Sequence, residues 1–259
     1  VIPQVMGIVN VTPDSFSDGG LFLDAQAAVA HGRALLAEGA SVIDVGGEST
    51  RPGASPVDAA EELRRVLPVV EALSEHGRVS IDTRKPEVAR AAVAAGATLV
   101  NDVSASLWPV AADCGVGWVA MHMLGEPGTM QQEPLYDDVV GEVCAFLEAQ
   151  ARQAAKAGID EVWVDPGFGF GKTAEHNLTL MAHLDDVVAL GWPVLVGTSR
   201  KATIGRLLAA SDGVDEIVPP DDRLAGSLAT EVWCMHRGAR MVRAHDVSAA
   251  VQAARVVAA

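Results

Sequence analysis

Val79 to Asp102 reads VSIDTRKPEVARAAVAAGATLVND. The apolar run Val79–Ile81 stops at Asp82. Helical spacing then runs from Pro86 to Ala95 and halts before Gly96, and a second apolar run, Thr98–Val100, stops at Asn101. Proline suits a first helical residue because its φ is preset, and glycine suits the left-handed stop. The segment is therefore a strand, a helix and a second strand, with a polar residue closing each strand.

The same unit recurs in both directions. Upstream, Val5–Val9 runs into Asn10, and Ser41–Val45, which holds Asp44, runs into Gly46, Gly47 and Glu48. Downstream, Trp118–Met121 stops at His122 and Val162–Val164 at Asp165; Val194–Val196 leads to Ser199, Arg200 and Lys201, and Met241 and Val242 lead to Arg243, His245 and Asp246. Helical spacing fills Ala25–Glu38, Val57–Glu75, Asp137–Ala157 and Glu175–Leu190, each followed within two residues by glycine. In Asp137–Ala157, Val140, Val143, Leu147, Ala151 and Ala154 form one apolar face, with Glu142, Glu148, Arg152 and Lys156 between them.

Near-continuous Val, Ile and Leu runs suit parallel strands covered on both faces. An open doubly wound sheet shows the same alternation, but it gathers its site at one switch point. No GxGxxG follows the first run, where the segment reads NVTPDSFSDGG (Asn10–Gly20). Polar ends spread over all eight runs predict instead an α/β fold, a single (β/α)8 TIM barrel spanning residues 1–259, with one shared site at its mouth. Two loops, Thr12–Gly20 and Gly46–Pro56, exceed the usual two to six residues of such connections. They read as lids over that mouth, or as ordinary surface loops.

With 259 residues, 49% of them hydrophobic, the chain can bury a full core. A formal charge of −15 argues against nucleic acid as a partner and suits a well-solvated surface. An anionic substrate would then need a local cluster of Arg, Lys, His or a metal. Cys114, Cys144 and Cys234 are far apart and lack CxxC spacing, so a reducing compartment is expected rather than a disulfide frame or zinc site. Val1–Val9 lacks the charged start of a signal peptide, and no apolar run approaches the roughly 20 residues that span a bilayer. The expectation is a soluble cytoplasmic protein with no membrane partner.

Asp82, Asn101 and Asp165 could together grip the edge of a flat heterocycle, since a carboxylate pairs well with an amino group beside a ring N–H. Metal ligation, acid–base work and helix capping are the alternatives. Asn10 could meet a phosphate, ligate Mg²⁺ or simply make a turn. Ser199-Arg200-Lys201 and Arg243-Ala244-His245 follow the seventh and eighth runs, where barrels recurrently bind phosphate; Arg200 could equally pair with rim carboxylates. Asp165–Lys172, DPGFGFGK, places three glycines where backbone can approach a ligand, and it lacks the Walker spacing. His122, between two methionines, reads as packing or as support for another group.

Taken together these segments resemble the dihydropteroate synthase family. MGIVNVTPDSFSDGG (Met6–Gly20) and VIDVGGESTRPGA (Val42–Ala54) match its two most specific signatures. SIDT (Ser80–Thr83), NDVS (Asn101–Ser104), DPGFGFGKT (Asp165–Thr173), SRK (Ser199–Lys201) and RAHDV (Arg243–Val247) follow in order. The resemblance implies a TIM barrel, usually a homodimer, acting as a transferase in folate synthesis. Such enzymes join 6-hydroxymethyl-7,8-dihydropterin pyrophosphate to p-aminobenzoate and release pyrophosphate, with Mg²⁺ present. By motif, Asp82, Asn101, Asp165 and Lys201 resemble the pterin site, and Asp82, Asp165 and Lys201 the catalytic groups. Asn10, Thr50, Arg243 and His245 resemble the pyrophosphate site, with Asn10 toward the metal. Thr50, Arg51, Pro52, Phe170 and Ser199 resemble the surroundings of p-aminobenzoate.

The family mechanism is a dissociative substitution, in which anionic groups near the ring favour a cation-like methylene and cations favour the departing anion. Many relatives carry serine after the lysine, where this chain has Ala202; the backbone N–H there can still bind an anion. The second loop, GGESTRPGA, carries no extra residue, so sulfonamide sensitivity is expected. A methyltetrahydrofolate-binding methyltransferase domain would share the barrel and pterin pocket, but needs neither the basic SRK and RAHD pair nor the TRP loop. A binding-only paralogue would be expected to lose Asn10, Lys201 or the loop motifs, all of which are present.

Overall fold

Strand parity organises the molecule. The computed structural model describes residues 1–12, 20–49 and 56–259 and, of residues 20–24, the backbone alone. Its centre is eight parallel strands: β1 (Gln4–Asn10), β2 (Val42–Gly46), β3 (Val79–Asp82), β4 (Leu99–Asp102), β5 (Gly117–Met121), β6 (Val162–Asp165), β7 (Leu195–Val196) and β8 (Met241–Ala244). Each pairs with the next from β1 to β6, β7 pairs with β8, and β8 returns to β1. The circle is completed at β6 and β7 by the Val164–Val194 bridge and by the Val164 N–H, which donates to the Pro193 carbonyl at 3.0 Å. The fold is the expected TIM barrel.

Because side chains alternate along a strand, one parity faces the barrel axis and the other faces the helices. Met6, Val42, Leu99, Val119, Trp163, Leu195 and Met241 form an apolar plug inside. Val5, Ile43, Val79, Ile81, Val100, Val164, Val196 and Val242 belong to a separate outer core shared with the helices. The register then carries the inward parity upward, setting Asp44 beside Ser80, Gly46 beside Asp82, Asp82 beside Asn101, and Met121 beside Asp165. At the foot of the barrel the Trp163 indole N–H donates to Glu161 at 2.7 Å, and Arg78 donates to the same carboxylate.

The helices are α1 (Gly20–Glu38), α2 (Ala59–Ser74), α3 (Pro86–Ala94), α4 (Trp108–Cys114), α5 (Val139–Lys156), α6 (Ala174–Ala182), α7 (Leu184–Val188), α8 (Ala202–Asp212), α9 (Leu224–His236) and α10 (Val247–Val257). The spacing places α2, α3 and α5 to within two residues, while α1 starts earlier than Ala25. The stretch Glu175–Leu190 is two helices, broken where His183 leaves helical geometry at φ −110° and ψ 29°. Leu180, Leu184 and Val187 are all fully buried across that break, which is why apolar spacing reads it as one helix. Spacing did not reveal α4, α8, α9 or α10: α4 is too short to show a period, and α9 buries Ser227 and Glu231 on its inner face. Among the described residues no helix is long and apolar enough to cross a membrane.

Asp102 has the outward parity and braces the loop after β4. Fully buried, it accepts the Ser104 N–H at 2.9 Å, the Ser104 hydroxyl at 2.6 Å, the Leu107 N–H at 2.6 Å and the Trp118 indole N–H at 3.1 Å. Replacing it strands several buried donors. Asp102→Ala is therefore expected to lower unfolding stability by about 3 kcal/mol in urea denaturation, while exposed Asp113→Ala leaves the midpoint unchanged. Equal midpoints for the two variants would contradict the bracing role.

Candidate active site

Above the apolar plug lies a charged layer. Arg243, on β8, spans the barrel: its Nε donates to Asp44 Oδ2 at 2.6 Å and its Nη2 to Asp82 Oδ2 at 2.9 Å. The Asn101 amide donates to the same Asp44 oxygen at 2.9 Å. Asp44 and Ser80 are fully buried, and Asp44 Oδ1 and Ser80 Oγ have no hydrogen-bond partner among the described residues. Burial pushes Asp82 up to about 7, against the downward pull of Arg243. Burial opposes the Arg243 charge, but Asp44 and Asp82 outweigh it and raise its pKa. Gly46 and Gly197 leave room here, since a Cβ on either would stand 3.5 Å from Asp82 Cβ and 3.7 Å from Arg243 Cβ respectively.

The loop after β6 forms one wall. Asp165 Oδ1 accepts the Gly167 N–H at 2.7 Å. Gly167, Gly169 and Gly171 have φ of 67°, 81° and 61°, which side chains rarely adopt. A Cβ on Gly167 or Gly171 would also collide with the carbonyl of His122 or Leu124, so the glycines are required twice over. Lys201 enters from the turn after β7; its Nζ donates to the Phe168 carbonyl and lies 4.6 Å from the centre of the Phe170 ring. Burial lowers Lys201 to about 8 although Asp165 pulls it upward. Burial raises Asp165, with Lys201 opposing the rise.

The β7 and β8 exits make the opposite wall. Ser199 Oγ lies 3.1 Å from His245 Nδ1 and accepts the His245 N–H at 3.2 Å. Between Ser199 and Lys201, Arg200 takes a left-handed φ of 57°. Such a turn costs on the order of 1 kcal/mol. It is held by Ser227, which accepts the Arg200 N–H at 2.9 Å, and by Arg223, which donates to the Arg200 carbonyl at 2.7 Å. Its guanidinium goes to the rim carboxylates Asp246 and Asp221, each at 2.8 Å. The residue between Ser199 and Lys201 is thus spent on the rim. The following helix α8 begins at Ala202 with Lys201 as an N-cap that makes no side-chain capping bond; the Ile204 N–H goes to the Lys201 carbonyl at 3.0 Å, which leaves the N–H groups of Ala202 and Thr203 without a partner among the described residues.

Of the residues singled out in the sequence, Asp82, Asn101, Asp165, Lys201 and Arg243 converge on this mouth, with Phe170 over Lys201 and Ser199 against His245. Asn10 ends β1, half-buried, its amide engaged by no described residue. Thr50, Arg51 and Pro52 lie outside the described residues, as do most of the two long loops. Two buried contributors were missed. Asp44 was legible from parity, since it shares the inward register with Gly46. Lys172 carries no spacing signal; only the turn of the glycine loop buries it. At the foot of the second loop, Glu48 accepts the Val57 N–H at 3.0 Å and Lys85 at 2.9 Å, while buried Glu62 accepts the Thr83 hydroxyl at 2.7 Å. Among the described residues no cluster of three or more His, Cys, Asp or Glu could hold a metal.

The family model for pterin binding enzymes matches residues 6–245. The chain is 48% identical over 265 residues to the dihydropteroate synthase of Mycobacterium leprae, across 99% of this chain and 93% of that protein. Among solved structures, the Xanthomonas albilineans dihydropteroate synthase with 4-aminobenzoic acid is 51% identical, with a TM-score of 0.88 over 98% of this chain and 91% of that one. The Yersinia pestis dihydropteroate synthase in a sulfonamide drug complex is 44% identical, with a TM-score of 0.90 over 99% of this chain and 93% of that one. Similarity of this degree along nearly the whole chain, joined to the barrel and its mouth, makes the protein a member of the dihydropteroate synthase family of pterin-binding enzymes.

Proposed function

We propose that the chain condenses 6-hydroxymethyl-7,8-dihydropterin pyrophosphate with p-aminobenzoate, giving 7,8-dihydropteroate and pyrophosphate. The observation that carries this reading is the juxtaposition of Asp82, Asn101, Asp165 and Lys201 with Arg243, His245 and Ser199 at one barrel mouth. Asp165 has one oxygen held by Gly167 and offers the other to the amino group and ring N–H of the pterin. Asn101 spends one amide N–H on Asp44, which leaves its amide oxygen and its second N–H for the ring. Lys201 supplies the complementary donor.

As the bond to pyrophosphate lengthens, positive charge grows on the ring methylene, and Asp82 and Asp165 favour it. The departing anion is met by His245 and by Arg243 Nη1, the guanidinium nitrogen not used on Asp44 or Asp82, while Ser199, against His245, borders the p-aminobenzoate. These groups are already in place, so little reorganisation accompanies the charge movement. The unprotonated arylamine attacks directly, without a covalent enzyme intermediate or a strong base. The unsatisfied N–H groups at the start of α8 suit the carboxylate of p-aminobenzoate, replacing a hydroxyl that Ala202 lacks. Phe170, with Thr50, Arg51 and Pro52 from the second loop, would border the same ring; Thr50 would also reach the pyrophosphate.

Mg²⁺ fits this donor set in one way. With no carboxylate cluster at hand, Asn10 would supply a single hard oxygen, and pyrophosphate oxygens and water the rest. When bound, the ion would neutralise charge on the leaving group. Exposed Leu178, Leu207, Leu224 and Trp233 on the neighbouring helices α6, α8 and α9 support a homodimer. Free Cys114, Cys144 and Cys234 suit a cytoplasmic setting.

Both substrates with Mg²⁺ are expected to yield dihydropteroate and pyrophosphate in equal amounts, with sulfonamides competing against p-aminobenzoate; product formed unimpeded under saturating sulfonamide would contradict the expected sensitivity. Asp165→Ala should weaken binding of the pterin substrate roughly 10- to 100-fold, and Lys201→Ala should slow kcat as well. Wild-type kcat/KM in both variants would overturn these roles. Since Asp82 must be ionised to favour a growing positive charge and Lys201 must keep its proton to donate, kcat/KM should rise with pH through about 7 and fall again above about 8. A profile flat from pH 6 to 8 would remove Asp82 from that role.

A further inference from the structure

Lys172 is the one fully enclosed lysine among the described residues, 2% exposed, and it has no part in the chemistry above. Its three N–H groups are shared among four acceptors, the carbonyls of Gly167 and Phe170 at 3.0 Å each and of His122 at 3.3 Å, and His122 Nδ1 at 2.9 Å. The His122 ring packs edge-on against Phe146, with centroids 5.1 Å apart. Burial and the facing ammonium depress His122 to about 3, so the imidazole is neutral and accepts at Nδ1. Burial likewise draws Lys172 down to about 7, while Asp165 pulls it upward.

The glycine loop is clasped along its length. Carbonyls 167 and 170 go to Lys172, that of Phe168 to Lys201, that of Gly169 to Gln131 at 2.7 Å and that of Gly171 to Tyr136 at 2.9 Å. Gly167 is gripped on both sides, with its N–H on Asp165 and its carbonyl on Lys172. Only Lys172 also reaches β5, through His122.

We propose that Lys172 is a positioning residue for the pterin site: locked to the β5 exit by His122, its ammonium sets where the glycine loop holds the Asp165 carboxylate and the Phe168 carbonyl that orients Lys201. The inference rests on the functional reading above. A displacement of about 1 Å at a reacting group can cost about 100-fold in rate, which is the scale at stake when the loop loses this anchor.

The test compares wild type, Lys172→Met and Tyr136→Phe. Lys172→Met is expected to lower kcat/KM for the pterin substrate by about 100-fold while KM for p-aminobenzoate stays unchanged. Tyr136→Phe removes another clasp on the same loop but not the grip on Gly167, and should stay within about threefold of wild type. A role in loop stability alone would instead shift the thermal midpoint and move both substrates' parameters together, in both variants. If Lys172→Met does not fold, His122→Leu decides: it removes the 2.9 Å ring contact, leaves only the longer 3.3 Å bond to the residue 122 carbonyl at the β5 exit, and should lower the same kcat/KM about tenfold. An unchanged value overturns the proposal. Calorimetry with 6-hydroxymethyl-7,8-dihydropterin pyrophosphate and Mg²⁺ separates the two readings. Wild type that binds the pterin but makes no product overturns the activity; equal Kd in wild type and Lys172→Met overturns the positioning role.

Discussion

A guanidinium forked between two carboxylates inside the barrel is the interaction on which the mouth depends. Arg243 is held by Asp44 at 2.6 Å and Asp82 at 2.9 Å, with Asn101 steadied on the same Asp44 oxygen. Isolated charges in such a place would be prohibitively desolvated, and removing one partner from a buried pair typically costs about 3–5 kcal/mol. The layer therefore stands or falls as a set. Asp44, Asp82 and Asp165 are offset by Arg243, Lys201 and Lys172, so acids and bases nearly cancel at the mouth of a strongly acidic protein. Opposite charges set side by side in this way suit the proposed reaction, which separates a cation from an anion.

The barrel makes this layer affordable in structural terms. Beneath it, the inward side chains from Met6 to Met241 pack an apolar plug, so the charged residues rest on a rigid floor. The outer parity is fully committed to the helices. Neither set can shift register without exposing apolar groups and burying unpaired charges, because a slip by one residue would exchange the two faces. Positions of the strand-end groups are thereby fixed by packing far from the chemistry. The loops then refine them: the left-handed Arg200 turns its own side chain to the rim and leaves Ser199 and Lys201 facing inward, and the glycine loop brings carbonyls to both Lys172 and Lys201.

Legibility in the sequence followed how local each signal was. Alternation of apolar runs with helical spacing, and the polar residue closing each run, are properties of a few consecutive residues, so the barrel and Asp82, Asn101, Asp165 and Arg243 could be read directly. The break at His183 was hidden because Leu180, Leu184 and Val187 keep helical spacing across it. α9 was hidden because buried Ser227 and Glu231 spoil its apolar face; the Ser227 hydroxyl donates to the Arg223 carbonyl at 2.8 Å, a bond that spacing cannot reveal. His122 read as packing or as support for another group, and only its partner, 50 residues away, decides for support.

The sequence by itself determined the parallel barrel, the end of the barrel where the charged groups gather, and the family, since period, parity and motif are written in neighbouring residues. Tertiary structure alone decided which charges meet. That Arg243 reaches across to Asp44 depends on closing the barrel, which brings β8 beside β1. That Arg200 turns away to Asp246, and that Lys172 rather than a strand-end residue anchors the glycine loop, depend on the exits of the paired strands β7 and β8, and β5 and β6, standing side by side. Electrostatic partners are chosen by distance in space, and in a closed barrel that distance bears no relation to separation along the chain.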